Sequence, residues 1–306
     1  MTFSEHEEPW AVPASASTAI AALISGPARP AQVIADFPVA TYLRVGEAVI
    51  ALVTPDAVRL PNALVCRPPH MILCDLWRHT PQIAQDHGAP TTSDTQALVG
   101  DGCVRIGHAR VSVGRWWDPV PRLPVVDDPA ALGRAVDAMR LLLPAWPDSG
   151  EPAAKHLVAG REVLASALTG DGTLAAAADQ LVGLGPGLTP AGDDLLAGAV
   201  AGLVLFGRAL GGHGAWVDRA DALDRAKQLA VAVDERAART TVLAADLARH
   251  AATGAVAEPV ATVCRALAGR GPLEPALGRL LAIGHTSGRD LAEGLLLGAA
   301  AALDTW

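Results

Sequence analysis

Lysine is almost missing from this chain: Lys155 and Lys227 are the only two, and arginine supplies nearly all the positive charge. With alanine and glycine abundant, this composition reads as a nucleotide-level bias of the source genome and carries no functional meaning. Clusters of Lys and Arg are also absent, and the formal net charge is −8. That argues against a general nucleic-acid binder, which needs a basic stripe to displace counterions. A small anionic ligand stays compatible, because a local pocket can oppose the global sign. Cysteine is scarce, and Cys66, Cys74, Cys103 and Cys264 show neither a CxxC nor a paired zinc spacing. Neither a disulfide framework nor a structural metal is indicated, and reduced cytosolic thiols are the plain reading. The opening stretch MTFSEHEEPWAVPAS lacks a basic segment followed by an apolar one, so it does not read as a signal peptide. Long apolar runs are missing as well: Leu195 to Phe206 and Leu291 to Leu303 fall short of the roughly 20 residues of a membrane span, and Glu293 interrupts the second. Both are expected to be buried core helices of a cytoplasmic protein.

What is present is hydrophobic material in quantity, 51% of 306 residues against 18% charged, enough for two domains with sizeable cores. From about Ala40 to Val113 short β-branched runs (TYLRV, AVIALVT, NALVC, CVRIG, ARVSVG) alternate with turn residues such as Gly46, Pro55-Asp56, Pro61-Asn62 and Asp101-Gly102. This predicts a small antiparallel sheet or barrel. The stretch between Pro68 and Gly100 reads as a short helix and a loop. Pro119, Pro121, Pro124 and Pro129 then mark an extended connection that ends where Asp128 can cap a helix and Pro129 can occupy its first turn. The fold class expected is α+β, with a β-rich domain over residues 1–125 and an all-helical domain over 126–306. Helices are expected near 154–168, 171–182, 190–210, 215–233, 236–252, 257–268, 273–283 and 287–303.

Two glycine-rich helix starts carry the chemistry. In the first, Gly183, Gly185 and Gly187 precede Leu188, Thr189 and Pro190, with Thr189 placed to act as N-cap and Pro190 as the first helical residue. The second has Gly284, His285, Thr286, Ser287 and Gly288. Aligning Gly192 with Gly288 gives G-x-D-L-x-x-G twice, through Asp194, Leu195 and Gly198, and through Asp290, Leu291 and Gly294. Gly202 and Gly298 extend each series, so each helix presents an Asp-Gly-Gly stripe at four-residue spacing. Small-xxx-small stripes permit close contact, so the helices are expected to cross at these glycines with both N-terminal ends on one side. Free N–H groups from both starts would then point at a phosphate or carboxylate.

Asp193, Asp194 and Asp290 oppose an anion unless Mg²⁺ bridges carboxylates and ligand, or unless they stabilise their own helix starts; the second reading suits Asp193. Asp194 and Asp290 lie on the glycine stripe and are candidates for metal or substrate contact. His285 is the titratable group that could exchange a proton near neutral pH, or simply cap. Near the start of a further helix, Arg239 could clamp a carboxylate bidentately beside Thr240, or be a surface arginine. The bland alternative for both motifs is a pair of structural caps.

The runs LVGLGPGLTPAGDDLLAG at 181–198, RTT at 239–241 and LLAIGHTSGRDLAEG at 280–294 resemble a bacterial family associated with the AllH-type subunit of oxamate carbamoyltransferase. The N-terminal half fits more loosely, through VGEAVIALVTPDAVRLPNALVC. The resemblance implies carbamoyl transfer between oxalurate and phosphate, giving oxamate and carbamoyl phosphate in the purine-derived breakdown of allantoin. It also implies FdrA-like and AllG-type partner subunits. By motif match the positions carried over are Gly185, Gly187, Thr189, Gly192, Asp194, Gly284, His285, Thr286, Ser287, Gly288 and Asp290. Leu188, Arg239 and Thr240 join them as expected substrate contacts from the residues themselves. Readings from other classes are a non-catalytic metabolite-binding scaffold and a Mg²⁺-dependent hydrolase using Asp193, Asp194 and Asp290.

Overall fold

The computed structural model describes residues 10–67, 96–145, 152–210 and 216–304. Contacts divide the chain into two units, Met1–Asp118 and Pro119–Trp306.

The first unit is a closed barrel of β1 (Trp10–Ser17), β2 (Arg29–Phe37), β3 (Ala40–Val45), β4 (Ala48–Val53), β5 (Ala63–Cys66), β6 (Gln96–Gly100), β7 (Cys103–Ile106) and β8 (Ala109–Trp117), with a short helix α1 (Ala21–Ser25) after β1. Its interior is filled by alternate residues such as Val33, Leu43, Ile50, Leu52, Val99, Val104 and Val111. The β-branched runs do form strands β3, β4, β5, β7 and β8. The barrel is mixed, not wholly antiparallel: β1 pairs parallel with β8, and β4 parallel with β5. Alternation specifies which face is buried but not the direction of a neighbour, so this feature is invisible in the pattern. Strands β1 and β2 carry Pro13 and Pro30 in alanine-rich sequence and lack a β-branched signature. Of the stretch between Pro68 and Gly100, the last residues form β6; the expected short helix lies outside the described residues.

The second unit contains α2 (Pro129–Leu142), α3 (Pro152–Thr169), α4 (Leu174–Leu181), α5 (Ala191–Ala209), α6 (Trp216–Asp234), α7 (Val242–Thr253), α8 (Glu258–Leu267), α9 (Leu273–Leu281) and α10 (Ser287–Asp304). Asp128 caps α2 through the Ala131 amide, with Pro129 in the first turn as its sequence predicts. The helix expected from 236 starts later, because Ala237–Arg239 forms a 3₁₀ turn and the Thr241 hydroxyl caps the helix proper at Ala244. Among the described residues no helix is long and apolar enough to cross a membrane.

Helix α5 is the centre of this unit, buried continuously from Gly192 to Gly207 and in contact with α4, α6, α7 and α10. Its partner across the core is α10. A Cβ placed on Gly198 would lie on the carbonyl oxygen of Leu291, and one on Gly294 would lie on that of Leu195. The same exchange recurs one turn on, between Gly202 and Leu295 and between Gly298 and Ala199. Numbers rise together on both helices, so the pair runs parallel with its N-termini on one side. The reciprocity makes an approximate internal two-fold of the repeated G-x-D-L-x-x-G. Gly192 and Gly288 also match: each presses on the end of the preceding helix, at the carbonyls of Leu181 and Leu280.

Backbone-on-backbone contact leaves no space for a side chain, so Gly294→Val is expected to lower stability by about 3 kcal/mol or more, or to prevent folding, as read by thermal unfolding. Gly278 in α9 has nothing within 4 Å of a built Cβ. Gly278→Ala should therefore raise stability by roughly 0.5–1 kcal/mol in the same assay.

Candidate anion site at two helix starts

The loops leading into α5 and α10 meet. The Thr189 and Ser287 hydroxyls lie 3.0 Å apart in a hydrogen bond that joins segments 98 residues distant in sequence. Positive φ angles at Gly183, Gly185 and Gly187 (76°, 115° and 96°) and at Gly284 (58°) let both loops turn tightly enough to arrive there. Thr189 does not cap α5. Pro190 is the N-cap residue and no side chain caps that end, which leaves the Thr189 hydroxyl for the other loop.

The first turns hold a second departure from the sequence reading. The amides of Gly192, Asp193 and Asp194 donate to the carbonyls of Leu184 and Pro190, and those of Gly288, Arg289 and Asp290 to Ile283 and Thr286. These are not the free donors expected of a helix start. In the loops themselves the amides of Gly187, Leu188 and Thr189 and of His285, Thr286 and Ser287 are among those that make no backbone hydrogen bond. His285 and Thr286 are exposed and Ser287 half-buried.

Beneath the loops sit three buried carboxyls with different surroundings. Asp193 is a stitch: its Oδ2 accepts from the Gly183 amide (3.0 Å) and the Thr240 hydroxyl (2.7 Å). Gly183 itself packs on the Arg239 carbonyl, and the Thr241 hydroxyl donates to the Leu188 carbonyl, so residues 239–241 brace the first loop. Asp194 is 5% exposed, lies beside the Ser287 and Thr189 hydroxyls, which lower its carboxyl against the effect of burial, and leaves its Oδ2 without a partner. Burial, with the charge of Asp290 adding to it, holds the Asp194 carboxyl well above the usual carboxylate range. Asp290 is fully buried; burial pushes it up to about 6 against the opposing effects of the Thr286 hydroxyl and the Arg289 guanidinium.

Several expected contacts go elsewhere. The Arg239 guanidinium is bound to Asp179, at 3.1 Å to Oδ1 and 2.7 Å to its carbonyl, and Arg236 grips the same carboxylate, so Arg239 fastens the brace to α4. Thr240 is occupied by Asp193, and Gly192 and Gly288 face backbone of their own unit. Among the described residues no group of three or more His, Cys, Asp and Glu side chains is placed to hold a metal, Asp193, Asp194 and Asp290 included. Cys66 and Cys264 are buried thiols pushed up to about 12, which makes neither a nucleophile.

Two arginines escaped the sequence reading. Arg161 of α3 pairs at 2.6 Å with Glu293, and Arg289 donates to the Pro144 carbonyl at 3.0 Å while facing Asp290. Glu293, interrupting an apolar run, was the visible signal for a buried pair. A cavity of about 590 Å³ lined by Val204, Arg208, Leu223, Lys227 and Arg249 contains none of the loop residues.

The raised Asp290 carboxyl links stability to pH. Its proton is retained to about 6 in the folded chain and only to about 4 when unfolded. The folded state therefore binds more protons between those values, and stability falls as pH rises through that window. Asp290→Asn should match the wild type below about pH 4 and exceed it above pH 7 by on the order of 2–3 kcal/mol, as followed by denaturant unfolding across pH.

The family model described as oxamate carbamoyltransferase subunit AllH matches residues 181–299. No curated protein and no solved structure matches the chain. The matched stretch, less than half of the chain, holds both glycine-rich loops, the bracing segment 239–241 and the glycine crossing of α5 and α10, and it is there that the chain is similar to the AllH subunit family.

Proposed function

We propose that this chain is the subunit of an oxamate carbamoyltransferase that cradles the small anions of the reaction at the joined starts of α5 and α10. The reaction is transfer of a carbamoyl group from oxalurate to phosphate. A phosphate oxygen attacks the terminal ureido carbon, the C–N bond to the oxamate nitrogen breaks, and that nitrogen takes up a proton. Carbamoyl phosphate and oxamate leave; the reverse direction uses the same atoms. In this reading the loop amides of Gly187, Leu188, Thr189, Thr286 and Ser287 bind oxygens whose charge grows at the tetrahedral centre, and the Thr189 and Ser287 hydroxyls hold the two loops in register. His285 exchanges the proton of the leaving nitrogen. Asp290 acts on the ligand through the Thr286 hydroxyl it holds. Arg239, Thr240 and Asp193 keep the first loop in place, and FdrA-like and AllG-type subunits complete the enzyme.

The observation that carries this reading is the Thr189–Ser287 hydrogen bond, which puts both loops at one place. The anionic substrates suit such a place, since donors from two loops can share one charged group. A purely scaffolding subunit would need no such convergence.

The test is phosphate-dependent turnover in the assembled complex. Ser287→Ala and Thr189→Val should each lower kcat/KM for oxalurate about 10–100-fold, and His285→Gln should lower kcat by about 100-fold or more. Assembly, followed by size-exclusion chromatography, should persist in all three. Unchanged rates with intact assembly would mean the site is elsewhere.

A further inference from the structure

Asp194 is one of the three buried carboxyls beneath the loops. It sits in the first turn of α5, on the face that crosses α10, and is 95% removed from solvent when its 5% exposure is subtracted from 100%. The two hydroxyls that join the loops, Thr189 and Ser287, both reach it. Its Oδ2 nonetheless has no hydrogen-bond partner. A buried oxygen left bare costs about 1–3 kcal/mol, so this one calls for a partner. The backbone around it is rigid on every side, fixed by the glycine contacts at Gly192 and Gly198, so the chain cannot move to satisfy the oxygen itself.

We infer that Asp194 selects for the amide end of the ligand: its Oδ2 accepts a hydrogen bond from an N–H₂ group while the loop donors hold the anionic end. The inference rests on the proposed anion cradle and adds to it the direction in which the ligand lies. The physical logic is complementarity combined with rejection. An acidic acceptor next to an anion cradle welcomes a neutral N–H and repels a second carboxylate, and Asp290 close by adds to that repulsion. Burial makes the ionised carboxylate costly, and an N–H donor on Oδ2 stabilises that form by providing the hydrogen bond it lacks, whereas a carboxylate ligand raises its cost further. Oxamate, with one carboxylate and one primary amide, fits this polarity. Oxalate has the same shape and size with a carboxylate in place of the amide, so the pair isolates the effect of the N–H₂ group.

The experiment is titration calorimetry of the full chain, alone and in the assembled complex, with oxamate, oxalate and inorganic phosphate. Wild type should bind oxamate at least about tenfold more tightly than oxalate, a difference of about 1.4 kcal/mol. Asp194→Asn can present either its carbonyl or its NH₂ to the ligand, and should bring the two affinities to within about twofold. Asp194→Ala provides a second variant with the same expected loss of preference. A residue that merely supports the fold would change stability and leave the preference alone, whereas Asp194→Asn should unfold at or above the wild-type temperature, because it removes a buried ionisable carboxyl. Equal or tighter oxalate binding by wild type, or an unchanged preference in both variants, overturns the role of Asp194 while leaving the cradle standing. Failure of oxamate, oxalate and phosphate to bind in either preparation overturns the cradle, and this inference with it.

Discussion

The contact between the backbones of α5 and α10 is the constraint on which the helical unit depends. Hydrophobic burial alone would bring two alanine- and leucine-rich helices together at an ordinary distance, with side chains between them. Here glycine at 198, 202, 294 and 298 removes those side chains, and carbonyl oxygens of each helix lie against the α-carbons of the other. Close parallel approach brings both N-termini to one side, and only then can two loops separated by nearly a hundred residues share a hydrogen bond. Gly192 and Gly288 set each loop against the helix before it, so every joint around the site is made of backbone. A joint of that kind has few ways to relax, which suits a site whose donors must be held in fixed positions.

Parallel packing has an electrostatic consequence. Two helix starts with their positive ends together would repel each other, and the acidic residues of the first turns offset that repulsion only in their ionised form. Their burial has its own cost, expressed in the raised Asp194 and Asp290 carboxyls. Asp193 is relieved by Gly183 and Thr240, Asp290 by Thr286 and Arg289, and Asp194 by the Thr189 and Ser287 hydroxyls. Arg161 and Arg289 extend the balance outward through Glu293. The charge in this region is thus divided between groups that hold the fold and one that is left with an oxygen to offer.

The internal two-fold is imperfect where chemistry requires it to be. Both halves have a helix, a glycine-rich loop and a second helix, and they agree at the crossing. The loops differ: the first is longer and is braced by residues 239–241, the second carries His285 and is linked through Arg289 to the carbonyl of Pro144. A symmetric frame with unlike loops can grip the two unlike ends of a small molecule.

Much of this was legible along the chain, for local reasons. Short β-branched runs between turn residues marked strands β3, β4, β5, β7 and β8; helical spacing marked the helices; and the repeated G-x-D-L-x-x-G announced a crossing, because glycine at four-residue spacing has little use on a helix unless something comes close. Spacing also put Asp194 and Asp290 on the facing stripe. The rest depended on partners remote in sequence. Strand direction in the barrel, the capture of Arg239 by Asp179, the pairing of Arg161 with Glu293, and the release of Thr189 from capping to meet Ser287 each involve a residue that no local pattern names. Amino-acid order decided which residues could approach a ligand, since conformational freedom, periodicity and charge are properties of short segments. Which of them do face one place, and which are spent on holding the others, was decided by the tertiary fold, because hydrogen bonds and ion pairs are settled by distance in space.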